Sequence, residues 1–272
     1  MTTTVHRRCP LCDTDHSADQ PLAYSPREWP LKQCSRCRLV YLEKAAAYTA
    51  MGEDFAWEKT SLAEKARRKS AEPLKQKVSD SMKRLRRDLF KRQKLGEFIR
   101  AYLAPGHVAD VGCGNGNSLL HLPEGYTAIG LEISRALAAQ AQRKAATRGG
   151  RVIAGDALTG MQSLGGGELS GVVMSAYLEH EIQPRPLLAE VHRALRPQGR
   201  IIIKVPNFAS WNRVVRGARW CGFRFPDHVN YFTPHTLARL GQETGFRVLR
   251  CRWQDRLPTS DNLWMVLEKC AA

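Results

Sequence analysis

At 272 residues, 43% of them hydrophobic, the chain can bury a full core sized for one large domain and an appendage. No apolar run approaches the roughly 18 residues that a membrane span needs, and Met1-Thr2-Thr3-Thr4-Val5-His6-Arg7-Arg8-Cys9 lacks the apolar centre of a signal peptide; a cytoplasmic protein is expected. The net charge of +16 excludes an acidic, solvating chain, and eight unevenly placed cysteines exclude a disulfide scaffold.

Residues 1–45 are rich in turn residues and hold two C-x₂-C pairs, Cys9-Pro10-Leu11-Cys12 and Cys34-Ser35-Arg36-Cys37, separated by 21 residues. Zinc favours four tetrahedral thiolates, and each C-x₂-C turn lets two sulfurs converge on one ion. A structural zinc ribbon on Cys9, Cys12, Cys34 and Cys37 is therefore expected, the ion standing in for a core too small to fold alone.

Residues 46–104 are rich in Ala, Lys, Arg and Leu, and are expected to form a basic helical linker or cap. Leu85, Leu89, Leu95, Phe98, Ile99 and Leu103 supply an apolar stripe, and Pro73 divides the segment into two helices. From Ala56 to Arg100 there are 15 Lys or Arg against 6 Asp or Glu, more than half of the whole imbalance. Such a face suits RNA, an anionic surface or an acidic substrate, and equally a solvated helix side.

Residues 105–272 alternate strands and helices, which implies an α/β fold with a mostly parallel sheet covered on both faces. The expected strands are His107–Gly112, Tyr126–Glu132, Arg151–Gly155, Gly171–Ala176, Arg200–Val205, Phe246–Trp253 and Leu263–Glu268. A helix through Leu119 and Leu120 follows the first strand. Ser134 caps a helix running to Thr147, Pro186–Leu195 forms another, and Thr233 caps one ending at Gly245. The last two strands have no helix between them and are expected to pair as an antiparallel hairpin at one edge.

In such a sheet ligands bind beyond the carboxyl ends of the strands. The first strand runs into Val108-Ala109-Asp110-Val111-Gly112-Cys113-Gly114-Asn115-Gly116, whose glycines let backbone approach a ligand. The G-x-G-x-G spacing of Gly112, Gly114 and Gly116 differs from the G-x-G-x-x-G of dinucleotide folds and argues against a nicotinamide cofactor. Glu132 ends the second strand, where a carboxylate accepts from ribose hydroxyls, and Asp156 follows the third, within reach of an adenine amino group.

These pieces, together with Gly130-Leu131-Glu132-Ile133-Ser134, Gly155-Asp156-Ala157, Tyr177-Leu178-Glu179-His180 and Leu195-Arg196-Pro197-Gln198-Gly199-Arg200, resemble the class I S-adenosylmethionine-dependent methyltransferases. The resemblance covers roughly residues 105–270. It implies a Rossmann-like, seven-stranded sheet with an antiparallel last strand. It also implies that Asp110 and the glycines hold the methionine end of S-adenosyl-L-methionine, Glu132 the ribose, and Asp156, next to Ala157, the adenine. The turn Met174–Ala176, with Ser175 at its centre, would border the sulfonium.

For the acceptor, His180 after the fourth strand and His228 in Phe225-Pro226-Asp227-His228 are the candidate bases, since an imidazole suits proton transfer at neutral pH. Quinone-type relatives carry a further Glu three residues before the Glu-His pair and use these groups for a divalent metal. Ala176 stands there, so no catalytic metal is expected. The ribbon ahead of the catalytic domain is similar to methyltransferases of sugar and polysaccharide biosynthesis, which implies a small-molecule or glycan-precursor acceptor and O-methylation. Two alternatives remain: a ribosomal-RNA methyltransferase using the basic helices, against which stands the absence of an Asn-Pro-Pro-Tyr-type motif, and a catalytically silent binding module. Trp211, Trp220, Phe223 and Phe225 form either a lid or core packing.

Overall fold

A computed structural model describes residues 3–48 and 94–271. Of the helices expected on either side of Pro73, the stretch Lys94–Tyr102 falls among the described residues as a helix, and the rest, with Leu85 and Leu89, lies outside them. Seven strands make the main sheet: β5 (Gly106–Val111), β6 (Tyr126–Glu132), β7 (Arg151–Ala154), β8 (Leu169–Ser175), β9 (Leu195–Pro206), β11 (Phe246–Arg250) and β12 (Asn262–Lys269). Their spatial order is β11-β12-β9-β8-β5-β6-β7. β5 to β9 run parallel, β12 lies antiparallel to β9, and β11 pairs with β12 as the edge hairpin expected from the sequence.

The apolar strands dictate a covered sheet. In β8 every residue from Leu169 to Met174 is buried, as are Ile201, Ile202 and Ile203 of β9. On one face α1 (Lys94–Tyr102) presents Phe98 and Ile99, which join Val173, Ile202 and Trp264. α2 (Arg135–Ala146) adds Ala141 and Ala145 to the same layer. On the other face α3 (Ala157–Gln162), α4 (Pro184–Ala194) and α6 (Pro234–Glu243) bury Met161, Leu187, Leu188, Leu237 and Leu240. α5 (Trp211–Arg216) is a short helix beyond β9.

The caps follow the sequence. Ser134 accepts from the Leu137 amide, and Thr233 forms a reciprocal pair with Thr236. The helix expected through Leu119 and Leu120 is instead a single 3₁₀ turn, Leu119–His121. Leu122 is extended because Pro123 follows it, and a residue before proline is pushed out of the helical region. Phe246–Trp253 stops short at Arg250, where the register slips between Val248 and Arg250 and a 3₁₀ turn at Trp253–Asp255 takes over.

The N-terminal residues add β1 (Thr4–His6), β2 (Leu31–Gln33), β3 (Val40–Leu42) and β4 (Lys44–Ala46). β1 pairs with β4, and β2 pairs with β3. The other edge of β3 is taken by β10 (Asn230–Tyr231), a strand contributed from beyond β9. Leu31, Val40 and Leu42 pack in one cluster with Phe208, Trp220, Phe223 and Tyr231. Trp220 and Phe223 are thus core residues and Phe225 stacks on Phe223, whereas Trp211 is exposed. Arg7 fastens the junction, donating to Val229 O at 3.0 Å and to Asn230 Oδ1 at 2.7 Å. Among the described residues no helix is long and apolar enough to cross a membrane.

Candidate active site

The chain steps from β5 out to β6 and β7, then returns to place β8 on the other side of β5. The carboxyl ends of β5 and β8 therefore flank the point where strand order reverses. At the first end lies the glycine turn. Gly112 has φ +71°, and a Cβ there would come within 2.5 Å of the Tyr177 ring. Gly116 has φ +77°, and a Cβ would stand 2.7 Å from the Ala141 Cα of α2. These positions need glycine both for the left-handed backbone and for close approach.

Glu132 ties the turn to its neighbour. Its Oε2 accepts from the Gly114 amide at 2.8 Å and its Oε1 from the Ser134 amide at 2.9 Å. Asp110 sits behind the turn, its Oδ2 accepting from Ser118 Oγ at 2.5 Å. Burial pushes its carboxyl up to about 6; the Ser118 hydrogen bond opposes the rise and the nearby Glu132 charge adds to it.

Between the strand ends opens a cavity of about 480 Å³, inside the roughly 300–1,000 Å³ usual for small-molecule sites. Gly112, Gly114, Glu132, Ala157, Ser175, Tyr177, His180, Lys204 and Asp227 line it, with Ala46 and Tyr48 from the N-terminal segment. Asp110, Gly116, Asp156 and His228 do not line it. Asp156 caps α3, its Oδ1 accepting from the Thr159 amide at 2.8 Å. Lys204, Ala46 and Tyr48 were missed in the sequence. A lone cation inside the apolar run Ile201–Val205 was the one signal available for Lys204, and the N-terminal residues offered none.

Tyr48 and Tyr177 both donate to Glu181, the latter at 2.7 Å, so a buried carboxylate joins the N-terminal segment to the pocket wall. Beside it, His180 Nδ1 donates to Asp227 O at 2.9 Å, and burial, with Arg224 nearby, holds its imidazole down at about 4. His228 Nδ1 donates to Gly222 O at 2.8 Å, and the two rings meet edge-on with centroids 4.7 Å apart. Glu179 is 1% exposed, and burial raises its carboxyl to about 8.

The four N-terminal cysteines converge. Sγ of Cys9 lies 3.4 Å from that of Cys37, and Sγ of Cys12 lies 3.4 Å from that of Cys34. All four sulfurs fall within 4.8 Å of one another. Four thiolates at about 2.3 Å from a tetrahedral ion would stand about 3.8 Å apart, so this cluster has the donors and the spacing for one.

Residues 77–250 match a family described as methyltransferase domain, which is more than half of the chain. The chain belongs to this family. The methyltransferase is a class I, S-adenosylmethionine-dependent enzyme by its domain and its Rossmann-like sheet. Among solved structures it is similar to a SAM-dependent methyltransferase from Archaeoglobus fulgidus, with 22% identity, a TM-score of 0.53, and 67% of this chain and 94% of that one covered. It is also similar to an S-adenosylmethionine-dependent methyltransferase from Mesorhizobium loti, with 17% identity, a TM-score of 0.50 and coverages of 63% and 95%. The cyclase SpnF shares the fold at 15% identity and a TM-score of 0.51, with coverages of 66% and 81%. At such identities the likeness is one of fold. No curated protein matches the methyltransferase.

Proposed function

We propose that the methyltransferase transfers a methyl group to an oxygen of a small-molecule or glycan-precursor acceptor. The observation that carries this reading is one cavity lined together by the glycine turn, Glu132, His180, Asp227 and residues of the N-terminal segment. In this reading Gly112, Gly114 and Gly116 shape the turn for the methionine end, with Asp110 countering its ammonium through the Ser118 side of the pocket. Glu132 accepts from the ribose. Asp156 and Ala157 meet the adenine, and Ser175 borders the sulfonium.

When bound, S-adenosyl-L-methionine would supply the methyl group from its sulfonium, the carbon–sulfur electron pair staying with sulfur as a neutral thioether. The acceptor proton passes towards His180, which is neutral at pH 7, with His228 fixing that ring from behind. The residues' main work is alignment and exclusion of water. Cys9, Cys12, Cys34 and Cys37 hold a structural zinc, and the ribbon so formed carries Ala46 and Tyr48 to the acceptor side.

Labelled cofactor offered to cell extracts separated into RNA, protein, lipid and glycan fractions tests the reading. Label in a small-molecule or glycan fraction is expected. Label confined to RNA would replace this acceptor with the one that the basic stretch 56–100 favours. With the acceptor in hand, unchanged turnover in both His180→Ala and His228→Ala would remove histidine from the proton path.

A further inference from the structure

The corner where His180 meets His228 carries more than a proton acceptor requires. One donor atom from each of Glu179, His180 and His228 lies within 4.8 Å of the other two. Each imidazole is held through Nδ1 by a backbone carbonyl, Asp227 O for His180 and Gly222 O for His228. A carbonyl can only accept, so Nδ1 carries the proton in both rings and the lone pair is on Nε2. That is how proteins orient imidazoles for an ion. Glu179 is 1% exposed, yet its Oε2 has no hydrogen-bond partner. Such a buried carboxylate oxygen is costly unless something meets it. The backbone clamps the set, because Glu179 O accepts from the amides of Val229, at 2.7 Å, and Asn230, at 3.0 Å, directly after His228. Of the two cations whose charge reaches Glu179, Lys204 and Arg224, neither hydrogen-bonds its carboxylate, and Arg224 is paired with Asp227 Oδ2 at 3.0 Å.

We propose that Glu179, His180 and His228 bind a divalent transition-metal ion at the acceptor end of the pocket, apart from the four-cysteine cluster. Two imidazoles and one carboxylate suit Mn²⁺, Fe²⁺, Co²⁺ or Zn²⁺, and leave open positions for oxygen ligands. Of the three residues His180 lines the cavity, so an acceptor oxygen would approach the ion from that side. The ion would lower the proton affinity of an oxygen bound to it, so that in the loaded protein the proton would leave to solvent rather than to His180, whose Nε2 lone pair the ion would hold. This deepens the acceptor reading and rests on it for its role, though not for its existence. It also revises the expectation drawn from Ala176: a histidine from beyond β9 supplies the third donor.

Mn²⁺ is the probe, because thiolates are poor ligands for it and the cysteine cluster stays loaded with zinc. Titration of the full chain, followed by paramagnetic resonance without cofactor or acceptor, is expected to give one bound Mn²⁺ per chain. Glu179→Gln keeps the side-chain shape, and His228→Asn keeps an amide donor for Gly222 O while deleting the lone pair. Each is expected to weaken Mn²⁺ at least tenfold, with zinc content and cofactor affinity unchanged. No uptake by the wild-type chain, or equal uptake by both variants, would overturn the site. Normal uptake alongside methylation of RNA alone would uphold the site and remove the acceptor reading.

Discussion

Asp110 places a buried carboxyl, raised to about 6, beside the turn that the methionine end of the cofactor is proposed to occupy. The sign of its pH effect follows. Below that value the free protein holds a proton on Asp110, which a cationic ammonium must displace, so acid weakens cofactor binding. Affinity is expected to fall towards tenfold per pH unit below about 6, and Asp110→Asn to flatten the dependence, by calorimetry across pH 5–8. Gly116 is a packing position as much as a turn. Gly116→Ala would set a Cβ against the Ala141 backbone at positive φ. A loss of at least ~1 kcal/mol is expected, read as a melting temperature several degrees lower.

At the scale of elements, the caps were the most legible part of the sequence. Ser134 and Thr233 each begin the helix expected of them because a short hydroxyl side chain can satisfy free amides locally. Thr233→Ala is expected to cost about 1 kcal/mol by thermal unfolding while leaving cofactor binding intact. What local pattern could not reveal was decided by chain partners far away. Leu119 and Leu120 have helical spacing, yet Pro123 cuts the helix to one turn. Gly112, Gly114 and Glu132 were readable at the pocket because they punctuate strand ends. Tyr48 and Ala46 were not, since their place depends on how the N-terminal segment docks. Asp156 follows the third strand as the sequence indicated, but it spends one oxygen on its own helix and does not line the cavity.

Across the whole molecule, the N-terminal segment belongs to the catalytic body. Cys9, Leu11, Cys34, Cys37, Leu39 and Tyr41 share one apolar cluster with strands of the main sheet. Stripping the proposed zinc ion from the cysteines is therefore expected to do more than unfold an appendage. After a strong chelator has been applied and removed and Mn²⁺ returned to the proposed Glu179–His180–His228 site, methyl transfer is expected to be lost with cofactor binding retained, because Ala46 and Tyr48 leave the wall while the glycine turn and Glu132 stay. Activity and calorimetry on the same treated sample test this, and equal loss of both would count against it.

The pairing of β3 with β10 also constrains how the protein is made. Val40 meets Tyr231, about 190 residues later in the chain. On the ribosome the first strands emerge long before their partner exists, and Val40–Leu42 must wait with one edge bare. The N-terminal segment therefore finishes folding among the last parts of the protein, although it is synthesised first. Early capture of an ion by the cysteines would protect it during that delay.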